Sequence, residues 1–126
     1  MFTRFIPISI LFLLFTAACS APATPSPTPT LPPEAAMGKA VFITQCGACH
    51  SVIEDIVVVG PSMAGIASRA GDRVEGEDAR TYLYTSVLAP DRYLVDGFTN
   101  VMPLNFSKEL TGEELDAVIA YLFTLE

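Results

Sequence analysis

The chain has 126 residues, 51% of them apolar, with three cysteines, one histidine, no tryptophan and a formal net charge of −7. That length suits one domain, and 14 Asp and Glu against 7 Lys and Arg leave no basic face for nucleic-acid phosphates. A single histidine excludes two-histidine metal centres and histidine relays, and three cysteines cannot all pair within one chain.

Thirteen of the first eighteen residues are apolar, and the run Ile8 to Phe15 is broken only by Ser9. Arg4 precedes it, Ala17 and Ala18 close it, and no further charge follows until Glu34. A positive start, a short apolar stretch and small residues at its end predict a secretory signal peptide over residues 1–18. A retained membrane helix needs ~20 apolar residues, more than Phe5 to Ala18 supplies, and Pro7 interrupts it. Cys19 follows at once. Thr16-Ala17-Ala18-Cys19 resembles the lipobox of bacterial lipoproteins, with Thr16 where leucine is usual. Two readings of Cys19 stand: lipid attachment, or a thiol beside an ordinary cleavage site. A lone exposed thiol is a liability in an oxidising compartment, which favours the lipid.

Ser20 to Pro33 is fourteen residues with six prolines. It cannot pack a core and favours extended polyproline conformation, so residues 19–33 read as an anchor and a semi-rigid stalk. At ~3.1 Å per residue the stalk reaches on the order of 40 Å.

Residues 34–126 carry all 14 acidic side chains and six of the seven basic ones, a net charge of −8. No repeat or second linker divides them. A first helix is predicted from Pro33 to Gln45: proline is tolerated in the first turn, Glu34 suits the positive end of the dipole, and Phe42 falls one turn after Gly38. A second covers Asp78 to Leu88, with Ala79, Tyr82, Leu83 and Val87 on one face and Pro90 ending it. The last is the clearest. Thr111 and Glu114 have capping-box spacing, and Leu115, Val118, Ile119 and Leu122 follow at helical period. Gly60-Pro61, Gly71-Asp72 and Asp96-Gly97 mark loops. Ile56-Val57-Val58-Val59 favours β structure but is too short and isolated to imply a sheet. The expected fold is all-α, with three to four helices and long loops. A domain this small buries only about 60–65% of its unfolded surface, so its core calls for a further component.

Cys46-Gly47-Ala48-Cys49-His50 supplies it. C-x-x-C-H is the attachment pattern of c-type haem. Two thiols three positions apart at a helix end can each reach one vinyl group on the same porphyrin edge, and the adjacent histidine is directed at the iron. Small Gly47 and Ala48 let the backbone lie close to the ring. A disulfide between Cys46 and Cys49 is a weaker reading. A thioredoxin-like pair would sit at a strand-to-helix junction, and zinc would need a fourth ligand.

The second axial ligand cannot be histidine, and methionine is the usual choice. Met1 leaves with the signal peptide, and Met37 precedes the motif on the first helix. Met63 is only 13 residues after His50, whereas Met102 is 52 residues on, enough chain to reach the opposite haem face. Met102 is the predicted ligand, with Pro103 restricting the backbone beside it. Met63 is read as packing.

With these residues in place, Glu34 to Glu126 closely resembles a class I monohaem cytochrome c. The matching features are Gly38 and Phe42, the Cys46-to-His50 motif, Gly60-Pro61, Met102-Pro103 and the closing helix with Tyr121. The resemblance implies that the first and last helices cross at Gly38, Phe42, Tyr121 and Leu122. It also implies that the Pro61 carbonyl accepts a hydrogen bond from the second ring nitrogen of His50. The stretch from Tyr82 through Ser86, Pro90, Tyr93 and Gly97 to Met102-Pro103 is similar to cytochrome c domains of respiratory oxidase subunits. The chain departs from the family in Met63, where leucine is common, and in lacking a tryptophan for a haem propionate. Tyr82, Tyr93 and Arg92 are the candidates for that bond.

The expected function is one-electron transfer by a single covalent haem c with His50 and Met102 on its iron, in a protein that is not an enzyme. Export to the periplasm or the outer face of the cytoplasmic membrane is expected, with a lipid tether at Cys19. Expected partners are redox proteins with basic docking surfaces in respiratory or photosynthetic complexes; no nucleic acid is expected, and the protein is monomeric or complex-associated. Two other readings remain open: a fixed electron-input subunit of a larger oxidoreductase, or a haem-based gas-ligand sensor in which Met102 is displaced.

Overall fold

Pro33, at the first position of a helix where its missing N–H costs nothing, starts α1 (Pro33–Val41). The Pro32 carbonyl receives the Ala36 N–H at 2.9 Å, and Glu34 and Lys39 occupy the ends of the helix that suit their charges. The computed structural model describes residues 30–126. The expected signal peptide, Cys19 and most of the stalk lie outside the described residues.

The chain does not continue as α-helix to Gln45. Phe42–Cys46 forms a wider π-helical turn, closed by the Gly47 N–H on the Phe42 carbonyl at 2.8 Å. Thr44 offers a local cause: its hydroxyl donates back to the carbonyls of Ala40 at 3.1 Å and Val41 at 3.0 Å, and such back-bonding disturbs the helical ladder. Such π turns are frequent at functional sites, and this one leads straight into Cys46.

Four further helices follow: α2 (Ile66–Arg69), extended by a 3-10 turn at Ala70–Asp72; α3 (Ala79–Leu88); α4 (Phe106–Glu109); and α5 (Gly112–Leu122). Asp78 caps α3 by accepting the Thr81 N–H at 2.7 Å. Thr111 and Glu114 cap α5 reciprocally, as their spacing predicts. The fold is all-α, with no strand among the described residues. The two helices beyond the three located from the sequence are α2 and α4, four residues each, too short to leave a periodic pattern.

The core forms where α1 crosses α5. Gly38 is buried against Ala117, and the Phe42 and Tyr121 rings meet edge to face with centroids 5.5 Å apart. These are the residues that the family resemblance implied for this crossing. Val118, Ile119 and Leu122 carry the core on to Ile66, Ala70, Tyr82 and Leu83. At the surface, the Tyr84 hydroxyl donates to Asp116 and the Arg80 guanidinium lies 5.3 Å from the Phe123 ring centre, tying α3 to α5. No helix among the described residues is long and apolar enough to cross a membrane.

Candidate functional site

Cys46 ends the π turn, and the chain immediately doubles back over it. The N–H groups of Cys49 and His50 both donate to the Cys46 carbonyl, at 3.0 and 2.9 Å. This turn puts Cys46, Cys49 and His50 on the wall of one cleft of about 190 Å³, partly open to solvent. Its walls are mostly apolar, with Phe42, Ile66, Leu83, Val118 and Leu122 supplied by the helices. Met102 lines the same cleft from the loop between α3 and α4.

The histidine ring is held tightly. His50 Nδ1 lies 2.8 Å from the Pro61 carbonyl oxygen. A carbonyl can only accept, so Nδ1 carries a proton, which in the neutral imidazole leaves the lone pair on Nε2. Gly60 makes the close approach of chain and ring possible, since a Cβ there would stand 2.4 Å from His50 Cε1. The Gly60 and Val59 N–H groups donate to the Cys49 carbonyl at 2.9 and 3.1 Å, so Gly60-Pro61 is anchored to the motif it serves. Arg69 secures the next stretch, donating to the carbonyls of Ser62 at 2.5 Å and of Ala64.

Cys46 and Cys49 are both free thiols, partly buried in the cleft. Burial pushes the Cys46 thiol up to about 11, with a further push from neighbouring Cys49, so at neutral pH Cys46 is an uncharged S–H. Among the described residues no group of three His, Cys, Asp or Glu converges in the arrangement of a metal site.

The four methionines divide. Met102 and Met63 both line the cleft, whereas Met37 is exposed on α1 outside the lining, and Met1 lies outside the described residues. Met63 also packs against the core, and its N–H donates to the Ser51 carbonyl at 2.7 Å. Of the three propionate candidates, Tyr82 and Tyr93 line the cleft, their rings edge to face at 5.8 Å. Arg92 does not. It points to Glu77 at 3.9 Å and borders a separate pocket of about 70 Å³, because an exposed guanidinium finds its carboxylate outside the apolar cleft.

Sequence reasoning did not single out Arg69 as a clamp or Gly60 as the spacer for His50. It also missed much of the lining between Leu94 and Asn100, where Val95, Phe98 and Thr99 face the cleft. The Asp96-Gly97 turn was the only signal in that segment, and a turn does not tell which side chains point inward.

The donor set suits a covalently held haem: two thiols three positions apart, an imidazole held through Nδ1, and a mostly apolar cleft with a thioether on its wall. A family model described as Cytochrome c matches residues 35–126. No curated protein matches the chain.

Proposed function

The chain belongs to the cytochrome c family, and on that premise we propose that it is a one-electron carrier, not an enzyme, with His50 and Met102 as axial ligands of a single c-type haem. Once bound, the covalent haem supplies a reversible one-electron change at its iron. Cys46 and Cys49 would hold it by thioether bonds. The Pro61 carbonyl fixes the Nδ1 proton of His50 and so keeps the Nε2 lone pair aimed as a ligand. The Met102 thioether is a soft donor that favours the reduced ion and raises the potential. With His50 and Met102 both on the iron, no position on it would be left for a substrate. Tyr82, Leu83 and Val118 keep water from the inner cleft, which disfavours added charge on the oxidised side.

The observation that carries this reading is the convergence of Cys46, Cys49, His50 and Met102 on one apolar cleft. Cytochrome c domains are typically extracytoplasmic, and the apolar run before Cys19 and the proline-rich stalk support export with a lipid tether on the outer face of the membrane. A tether raises the effective concentration near membrane partners. The net charge of −8 on residues 34–126 favours partners with basic docking surfaces.

An absorption spectrum and redox titration of the matured protein, with carbon monoxide added to the reduced form, test the proposal. A carrier shows one reversible one-electron step and no spectral change with carbon monoxide. Rapid carbon monoxide binding would mark a gas sensor instead, and purification at fixed stoichiometry with a membrane complex would mark an electron-input subunit.

A further inference from the structure

The β-favouring run Ile56 to Val59 forms no strand. Together with Val52 and Ile53 it exposes six large aliphatic side chains within eight residues, between 39% and 64% accessible. Single exposed aliphatics are ordinary, but a contiguous cluster marks a contact surface. The loop that carries them is firmly built. Ser51 Oγ receives the Ile53 N–H at 2.9 Å, Ser62 Oγ donates to the Ile53 carbonyl at 2.8 Å, and the Val59 N–H is tied to Cys49. Asp55 turns the loop at φ 58°, a left-handed conformation that no other non-glycine shares among the described residues. The aliphatics are thus presented outward by an anchored backbone, and Val59 itself borders the cleft. On the loop bearing Met102, Val101 borders the cleft too, and both Val101 and Leu104 are about 60% exposed.

The charges along both segments have one sign. No Lys or Arg occurs between Lys39 and Arg69 or between Arg92 and Lys108, while Glu54 and Asp55 lie on the first segment and Asp96 on the second. A second copy of this chain would bring acid against acid, and an anionic membrane would repel the same carboxylates. Exposed aliphatics on segments whose only charges are carboxylates are complementary to an apolar patch surrounded by Lys and Arg.

We propose that the 52–59 loop, with Val101 and Leu104, is the docking surface for a redox protein whose contact face is apolar and rimmed by Lys and Arg. The proposal rests on the carrier function above and adds the surface at which its basic partner docks. The apolar contact holds the complex, and the carboxylates steer the encounter.

The test uses the holoprotein, with a lysine-rich blue copper protein as probe partner and benzoquinone as an uncharged small oxidant. Val57→Ser with Val58→Ser should slow electron transfer to the copper protein about tenfold at low and high salt alike. Glu54→Lys with Asp96→Lys should slow it about tenfold at low salt and converge on wild type at high salt. Glu113→Lys, on an exposed residue of α5 outside the cleft lining, should change it less than about twofold, and all variants should keep the wild-type spectrum and benzoquinone rate. Loop variants that match wild type with the copper protein, or an equal loss in Glu113→Lys, overturn the docking proposal alone. Dimerisation or binding to phosphatidylglycerol vesicles that is lost in Val57→Ser/Val58→Ser would also overturn it, by assigning the loop another occupant. A wild-type holoprotein inert towards benzoquinone overturns the carrier reading, and the docking proposal with it.

Discussion

A Cβ on Gly38 would stand 1.8 Å from the Ala117 carbonyl oxygen, so α1 and α5 cross backbone to backbone. Neither partner is a flexible side chain that could move aside. Gly38→Ala must therefore part the two helices that carry Phe42, Val118 and Leu122. A loss of about 3 kcal/mol in unfolding free energy is expected, at the upper end of overpacking effects, and urea denaturation of the holoprotein measures it. A loss under about 1 kcal/mol would mean that the crossing yields more easily than its geometry implies.

Gly60→Ala acts on the site through a different contact. The new Cβ would stand 2.4 Å from Cε1 and 2.9 Å from Nδ1 of His50, so ring or backbone must retreat and the bond to Pro61 must lengthen. The expected result is poorer haem maturation and a shifted redox potential. Absorption and redox titration read both, and a wild-type potential would show that the ring is not oriented from this side.

Met102 and Met63 both line the cleft, and their substitutions should separate them. Met102→Ala is expected to lower the potential and let the reduced protein bind carbon monoxide. Met63→Ala should keep the wild-type spectrum and lose about 2–3 kcal/mol of stability as a truncated packing residue. The opposite pattern would transfer the ligand role to Met63.

Acid should weaken the fold through its helix caps. Hydrogen bonds with Thr81, its backbone N–H foremost, hold the Asp78 carboxyl below its ordinary value, and those with Thr111 do the same for Glu114. A pKa depressed on folding stabilises the chain fully above the unfolded value, and that contribution is lost as pH falls through the folded one. Denaturation midpoints should therefore drop as pH falls through the carboxylate range. Glu114→Gln, which cannot titrate, should show a flatter acid limb, and an unchanged limb would remove Glu114 from this account.

Electron transfer to a basic partner should slow as ionic strength rises, because residues 34–126 carry a charge of −8 before any haem carboxylates are counted. Stopped-flow rates across a salt series check this. A flat series would leave the acidic surface with a solubility role only.

The sequence alone determined the helical class, the attachment motif, the starts of α1 and α5 and both ends of α3. Those signals are local: C-x-x-C-H is five consecutive residues, the Thr111–Glu114 cap spans four, and a helix of eleven residues repeats its apolar face. It also ranked Met102 as a ligand by counting the chain needed to pass around a haem, a constraint of length alone. Other features depended on residues meeting from distant parts of the chain. Only the tertiary structure gave Gly60 its role beside His50, turned Arg69 into a clamp on the Ser62 and Ala64 carbonyls, and drew Arg92 away to Glu77. It also left Ile56 to Val59 without a strand partner, because each backbone group tied down in that loop answers to Cys49, Ser51 or Ser62 or to the loop itself. A β-favouring run becomes a strand only when a neighbouring strand completes its hydrogen bonds. None does so here, and the valines face outward.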